Sequence, residues 1–192
     1  MEQTYIEDQE FESIDYSQLK LVEGEYENCV FTNCNFSGLN LSRLSFSECS
    51  FIDCNLSTVK LTGTTLRDIK FKGCKLLGLH FEDCSDFLFS VSFDNCNLNL
   101  SSFFKRKLKK TTFNNSSLQE VDFTEADLSM TIFNNCDLLG AIFIDTNLEK
   151  ADFCTAYNYA IDPEQNRIKK AKFSMSGVSG LLHKYDIEIS MS

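Results

Sequence analysis

From Phe11 onward an apolar residue recurs at every fifth position, and that one regularity decides most of what this chain can fold into. The centres run from Phe11 through Tyr16, Leu21, Tyr26 and Phe31 to Phe81, slip by two places, and resume from Leu88 to Phe153. All 29 are Phe, Tyr or Leu, although these types supply only 46 of the 192 residues, so chance does not produce the series. A helix repeats at about 3.6 residues and a half-buried strand at about two, and neither gives five. A coil with corners does. If five residues make one side of a square, about 20 close a turn and side chains one turn apart stack. The expected fold is all-β, a right-handed quadrilateral β-helix of about seven coils in which each coil rests on the next.

Sorting the centres by turn tests the idea. One column reads Phe11, Phe31, Phe51, Phe71, Phe93, Phe113, Phe133 and Phe153 without an exception. A second passes from Tyr16 and Phe36 to Leu56 and later leucines, and a third from Leu21, Leu41 and Leu61 to Phe81, Phe103, Phe123 and Phe143. The fourth holds Tyr26, Phe46, Leu66, Leu88, Leu108, Leu128 and Leu148. Because the Phe column survives the slip, the two extra residues are expected as a bulge within 82–87, with stacking resumed at Leu88. Two places before each centre lies a second inward set of mostly small or compact residues, as a narrow interior requires. The outward places carry the polar turn formers that corners need.

Residues 1–10 read as an N-terminal arm, 11–153 as the solenoid and 154–192 as a C-terminal cap. In the cap, 177–184 suits a short helix and 186–189 alternates like a strand. A rod has two open ends whose backbone invites growth. The tail is the natural cover for one of them. Its Leu181, Leu182, Tyr185, Ile187 and Ile189 are too apolar to leave in water, so the tail is also the expected homodimer contact.

The net charge of -10 sits in the first half: residues 1–96 hold 16 acids against 7 bases, residues 97–192 hold 12 against 11. Direct binding to nucleic acid is disfavoured by that sign. Solubility is the plain reading of an acidic balance. The sharper one is imitation of phosphate by Glu7, Glu10, Glu12, Glu23, Glu25 and Glu27. A dimer would carry about -20 along ~70 Å, where duplex DNA at one charge per ~1.7 Å carries about -40. Half that density suffices for attraction to a basic DNA-binding saddle. No stretch approaches the roughly 20 apolar residues of a membrane span, and the N-terminus lacks a basic region followed by an apolar run. The chain therefore reads as cytoplasmic, with reduced thiols.

No catalytic constellation stands out, and no enzyme activity, cofactor or metal is expected. His80 and His183 lie far apart with no nucleophile set beside either, and scattered carboxylates on a solenoid have no pocket to work in. Cys34, Cys54, Cys74, Cys96 and Cys136 fall in one column, a line that cannot surround an ion tetrahedrally. They read as compact apolar filler. The basic run Lys105-Arg106-Lys107 with Lys109-Lys110 puts Arg106 at an inward place, from which it must escape to solvent or pair with Asp86 one coil below. Phe87, Phe89, Phe103 and Phe104 gather beside the bulge as a binding spot or a packed irregular corner.

The units CNFSG, CSFID, CNLST, ADLSM, CDLLG, TNLEK and ADFCT resemble the A(D/N)Lxx pattern of the pentapeptide-repeat family over residues 11–153. The tail, with IDPEQNRI and a GLL ending, is similar to the topoisomerase-protecting branch, which includes quinolone-resistance and microcin-immunity proteins. That resemblance implies a dimer joined through C-terminal elements, a rod imitating duplex DNA that binds DNA gyrase and sometimes topoisomerase IV. The chain departs from the Gram-negative quinolone-resistance members in lacking long projecting loops, having only the bulge around Cys84, Ser85, Asp86 and Phe87. It is closer to the loopless members. The alternative is an interaction solenoid with an unrelated protein partner.

Overall fold

The computed structural model describes residues 4–189. Strands are short because a corner follows every five residues. At nearly every corner the second residue after the centre has a positive φ, as at Asn28, Asn33, Gly38, Asp53 and Gly73. Asn, Asp and Gly reach that left-handed region at little cost. Arg43, Leu100 and Met130 adopt it too, held there by the coils above and below.

Two parallel sheets run along the rod. One contains β1 (Thr4–Glu7), β3 (Gly24–Glu27), β5 (Ser45–Ser47) and β7 (Thr65–Arg67). The other starts at β2 (Glu10–Glu12), β4 (Val30–Thr32), β6 (Ser50–Ile52) and β8 (Ile69–Lys72). It continues through β9 (Val91–Asp94), β10 (Thr112–Asn114), β11 (Ile132–Asn134), β12 (Asp152–Phe153) and β13 (Lys172–Phe173). The other sides are tied by single parallel bridges such as Asn35 to Asn55 and Ser102 to Asp122. Winding is right-handed over about eight turns, the hand that twisted parallel strands favour. Strand pairing thus begins at Thr4 and ends at Phe173, beyond both ends of the 11–153 stretch where the period is plain. Eight steps of ~4.8 Å make a rod of about 38 Å.

The Phe column is a stack of rings. From Phe11 to Phe153 and on to Phe173, successive centroids lie 4.7–5.4 Å apart with planes within 20°. Members from Phe31 to Phe153 are buried, whereas Phe11, in the first coil, is only half-buried because nothing described lies beneath it. A second stack, Phe81, Phe103, Phe123 and Phe143, meets the first edge-on. Stacked and edge-on geometries are the favoured ones for aromatic pairs, worth ~0.5–1.5 kcal/mol beyond burial.

The inward residues two before each centre follow one hydrogen-bond rule. Cys54, Cys74 and Cys136 direct their thiols to the carbonyls of Phe31, Phe51 and Phe113. Thr64, Thr131 and Thr146 donate to Leu41, Leu108 and Phe123 in the same way. Small donors at this place can therefore be buried without an unsatisfied group.

The bulge departs from expectation. Stacking holds through Ser85, whose N–H donates to Thr64 O, and resumes at Ser90, whose N–H donates to Leu66 O. The irregular residues are 86–89 rather than 82–87. Leu88, expected as a column centre, is 55% exposed with φ of 52°, and Phe89 turns in beside Phe81 instead. Arg106 supplies the reason. It stays inside at 4% exposure, with its guanidinium 4.0 Å over the Phe89 ring. It donates to Cys84 O and Ser85 O, each at 3.1 Å, and to Asp86 Oδ1 at 2.6 Å. A buried cation needs acceptors and a π face, and leucine offers neither.

The tail also differs from the single helix and strand read at 177–184 and 186–189. Two 3-10 turns form, Met175–Leu181 and His183–Tyr185, and 186–189 joins no sheet. Gly177 and Gly180 explain the tight first turn, since a side chain at either would strike Tyr159. That turn lies across the last coil, where Ile161 N–H donates to Gly180 O.

Candidate functional site

With every inward place filled by core, the functional residues must lie on the outside and at the two ends. At the N-terminal end, Glu7, Glu25 and Glu27 stand on β1 and β3, Glu23 at the corner before β3, and Glu10 and Glu12 on β2, on a different side. The structure does not gather them into one stripe along the rod. They occupy two adjacent sides of the first two coils. Glu27 is partly neutralised: Arg67 reaches it at 3.5 Å and Glu48 at 3.6 Å. The Tyr5 hydroxyl donates to the same carboxylate, and this bond holds the phenol up to about 12.

The C-terminal end is built differently. Leu181 packs against the core, while Leu182, Ile187 and Ile189 line a 770 Å³ cleft together with Leu139 and Tyr157 of the solenoid wall. Ile187, Ile189, Leu139 and Tyr157 are each about half exposed, apolar groups in a cleft that also carries Asn158, Ser176 and His183. Tyr185 stands apart, its hydroxyl on Glu164 at 3.2 Å. Lys184 ties the tail to the last coil through Asp162 at 2.8 Å and Glu164 at 2.7 Å, and holds both carboxyls below their ordinary range. The five-residue period does not single out Leu139 or Tyr157. Leu139 directly follows the centre Leu138, an outward place where an apolar residue is itself the signal.

Along the rod, the Asp86–Phe89 loop presents Phe87 at 68% exposure beside the half-exposed Leu88. Arg106 anchors it from within. The five thiols of the Cys column are buried along one wall, and burial pushes Cys136 up to about 11 and raises Cys34. Among the described residues no group of three His, Cys, Asp or Glu is placed to hold a metal ion. Nor is any helix long and apolar enough to cross a membrane.

Two family models match the sequence, one described as a pentapeptide repeat region over residues 24–103 and one as pentapeptide repeats over 96–135 and 122–157. Together they run from 24 to 157, and the chain belongs to the pentapeptide-repeat family. Among solved structures it is similar to HetL, a pentapeptide repeat protein involved in heterocyst differentiation regulation from the cyanobacterium Nostoc sp. strain PCC 7120. That match is 18% identical, covers 88% of this chain and 87% of HetL, and has a TM-score of 0.71. Full-length QnrB1, a plasmid-mediated fluoroquinolone resistance protein, is 21% identical over 96% of this chain and 100% of its own, with a TM-score of 0.39. The HetL likeness establishes the fold and nothing finer. No curated protein matches.

Proposed function

We propose that the protein is a non-catalytic DNA mimic that binds DNA gyrase at its DNA gate, as a dimer joined through the C-terminal cleft. The observation that carries this reading is where the charge lies: residues 4–27 hold eight acids against one base, while the coils nearest the tail are close to neutral. Joining two rods through Leu182, Ile187, Ile189, Leu139 and Tyr157 puts an acidic end at each extremity of a ~75 Å body, at ~4.8 Å per coil. Basic surfaces flanking a DNA gate would be engaged at both extremities at once, and topoisomerase IV offers the same kind of gate. Exposed charges of this sort attract over about a Debye length, ~8 Å at physiological salt.

A second reading has its own support. Because Glu10 and Glu12 lie on a different side from Glu7, Glu25 and Glu27, the acids spread over two adjacent sides and do not form a single phosphate-like line. An interaction solenoid with an unrelated protein partner fits such a patch as well. Supercoiling by gyrase, with and without a quinolone, separates the two. Inhibition of supercoiling or relief of poisoning by the wild type supports the gyrase reading, and inactivity well above gyrase concentration leaves the unrelated partner.

A further inference from the structure

The two ends of the rod are finished differently. At the C-terminal end the Met175–Leu181 turn lies over the last coil. At the N-terminal end β1 and β2 each terminate their sheet. Among the described residues the first coil is open there, as an apolar pit of 750 Å³ floored and walled by Ile6, Phe11, Ile14, Leu19, Leu21 and Val22. Leu19 and Val22 are 59% and 54% exposed at its rim.

The backbone at this end is unpaired in a specific way. In the second coil Val30 N–H donates to Gln9 O, and Thr32 O accepts from Ser13 N–H. Glu10 and Glu12 are their counterparts one coil earlier. The Glu10 N–H and the Glu12 carbonyl therefore point off the end of the rod, with no partner among the described residues. An extended segment laid along β2 would bond to both, as one more strand in a parallel ladder.

Charge decides what kind of segment. Glu7 and Lys20 line the pit, and Asp8, Glu10, Glu12, Asp15 and Glu23 stand on the same first coil, in which Lys20 is the single base among residues 4–27. A second copy docked end to end would press two such acidic coils together, and like charges across an interface cost several kcal/mol. We propose that the N-terminal end is a docking site for an extended segment of another protein in which Lys or Arg alternates with apolar residues. The apolar side chains enter the pit, the backbone extends the β2 ladder, and the cations meet Glu7, Glu10 and Glu12. This site shares its acidic end with the gyrase reading but rests on the pit and the unpaired β2 edge, and does not depend on gyrase binding.

The probe is a blocked nine-residue peptide of alternating Lys and Val, with Lys/Ser and Glu/Val peptides of equal length beside it. Binding to the full chain is read by fluorescence anisotropy, and its location by protection of backbone amides from hydrogen exchange. We expect Lys/Val binding with protection at Glu10, and at least tenfold weaker binding of both other peptides. Two double variants keep the fold because they change exposed groups only: L19S/V22S removes the rim and E10Q/E12Q the nearby charge. Each should weaken Lys/Val binding about tenfold. Equal binding of Lys/Ser and Lys/Val, or wild-type binding by L19S/V22S, would overturn the proposal by reducing the site to a generic acidic surface. Protection confined to the C-terminal cleft would overturn it too. So would concentration-dependent self-association that the peptide competes away, because the occupant would then be a second copy.

Discussion

Replacing Phe113 with alanine removes a ring that touches four others. It stacks on Phe93 at 5.0 Å and on Phe133 at 5.1 Å, and meets Phe103 and Phe123 edge-on at 6.0 and 6.1 Å. The side chain is fully buried. Coils above and below are pinned by ladder hydrogen bonds, so they cannot close on the void, and the cost is about 3–5 kcal/mol. Phe11→Ala is the same chemistry in the first coil, where the ring has one stacked neighbour, Phe31 at 4.7 Å, and borders the open pit. Only part of a side-chain burial is lost there, about 1–2 kcal/mol. Guanidinium unfolding followed by far-UV circular dichroism measures both. Should Phe113→Ala fail to fold, Phe113→Leu, costing about 1–1.5 kcal/mol, still ranks above Phe11→Leu. Equal losses at the two positions would refute the account of a stack in which each coil is held by its neighbours.

Arg106→Ala leaves the carbonyls of Cys84 and Ser85 short of a donor and should cost about 1–3 kcal/mol, whereas Asp86→Ala, its carboxylate being 98% exposed, should cost under ~1 kcal/mol; thermal unfolding compares the two. Native protein treated with a thiol reagent should label Cys154 alone, the one exposed thiol, and slowly, because its bond to Asp152 raises its pKa. The eight buried thiols should react only in denaturant, and rapid labelling of Cys136 would contradict the packing. Deleting residues 176–192 should convert dimer to monomer or aggregate in sedimentation, while a full-length chain that is monomeric at micromolar concentration would exclude tail-mediated pairing.

Most of the fold is legible in the sequence because period five has one geometric solution, and the unbroken Phe column names its core wall. Both ends are harder to read. Ile6 lies five before Phe11 and keeps the phase, but an isoleucine does not join a series of Phe, Tyr and Leu. After Phe153 the inward set moves to Tyr159, Ile161, Ile168 and Phe173, so the last coil hides behind a one-residue shift at Tyr159. The period selects Leu88 over Phe89, and the structure reverses that order. The choice belongs to Arg106, 17 residues further on, which needs an aromatic face. The acids are legible as a cluster in the chain, but their division between two sides follows from coil geometry, since Glu7 and Glu10 flank a corner. The cleft shared by the tail and Leu139 depends on a tertiary contact that no local pattern announces.

The acidic ends are proposed to occupy a site meant for DNA. Purified gyrase holding a labelled duplex at its DNA gate can be titrated with the protein at 50 and 200 mM salt and the displaced duplex read by anisotropy. The wild type should displace the duplex, and displacement should weaken steeply as salt rises, because exposed charges carry the attraction. A variant with Glu7, Glu10, Glu12, Glu23, Glu25 and Glu27 changed to Gln should displace at least tenfold less. Failure of the wild type to displace DNA at either salt, or displacement by the neutralised variant equal to the wild type, would contradict it.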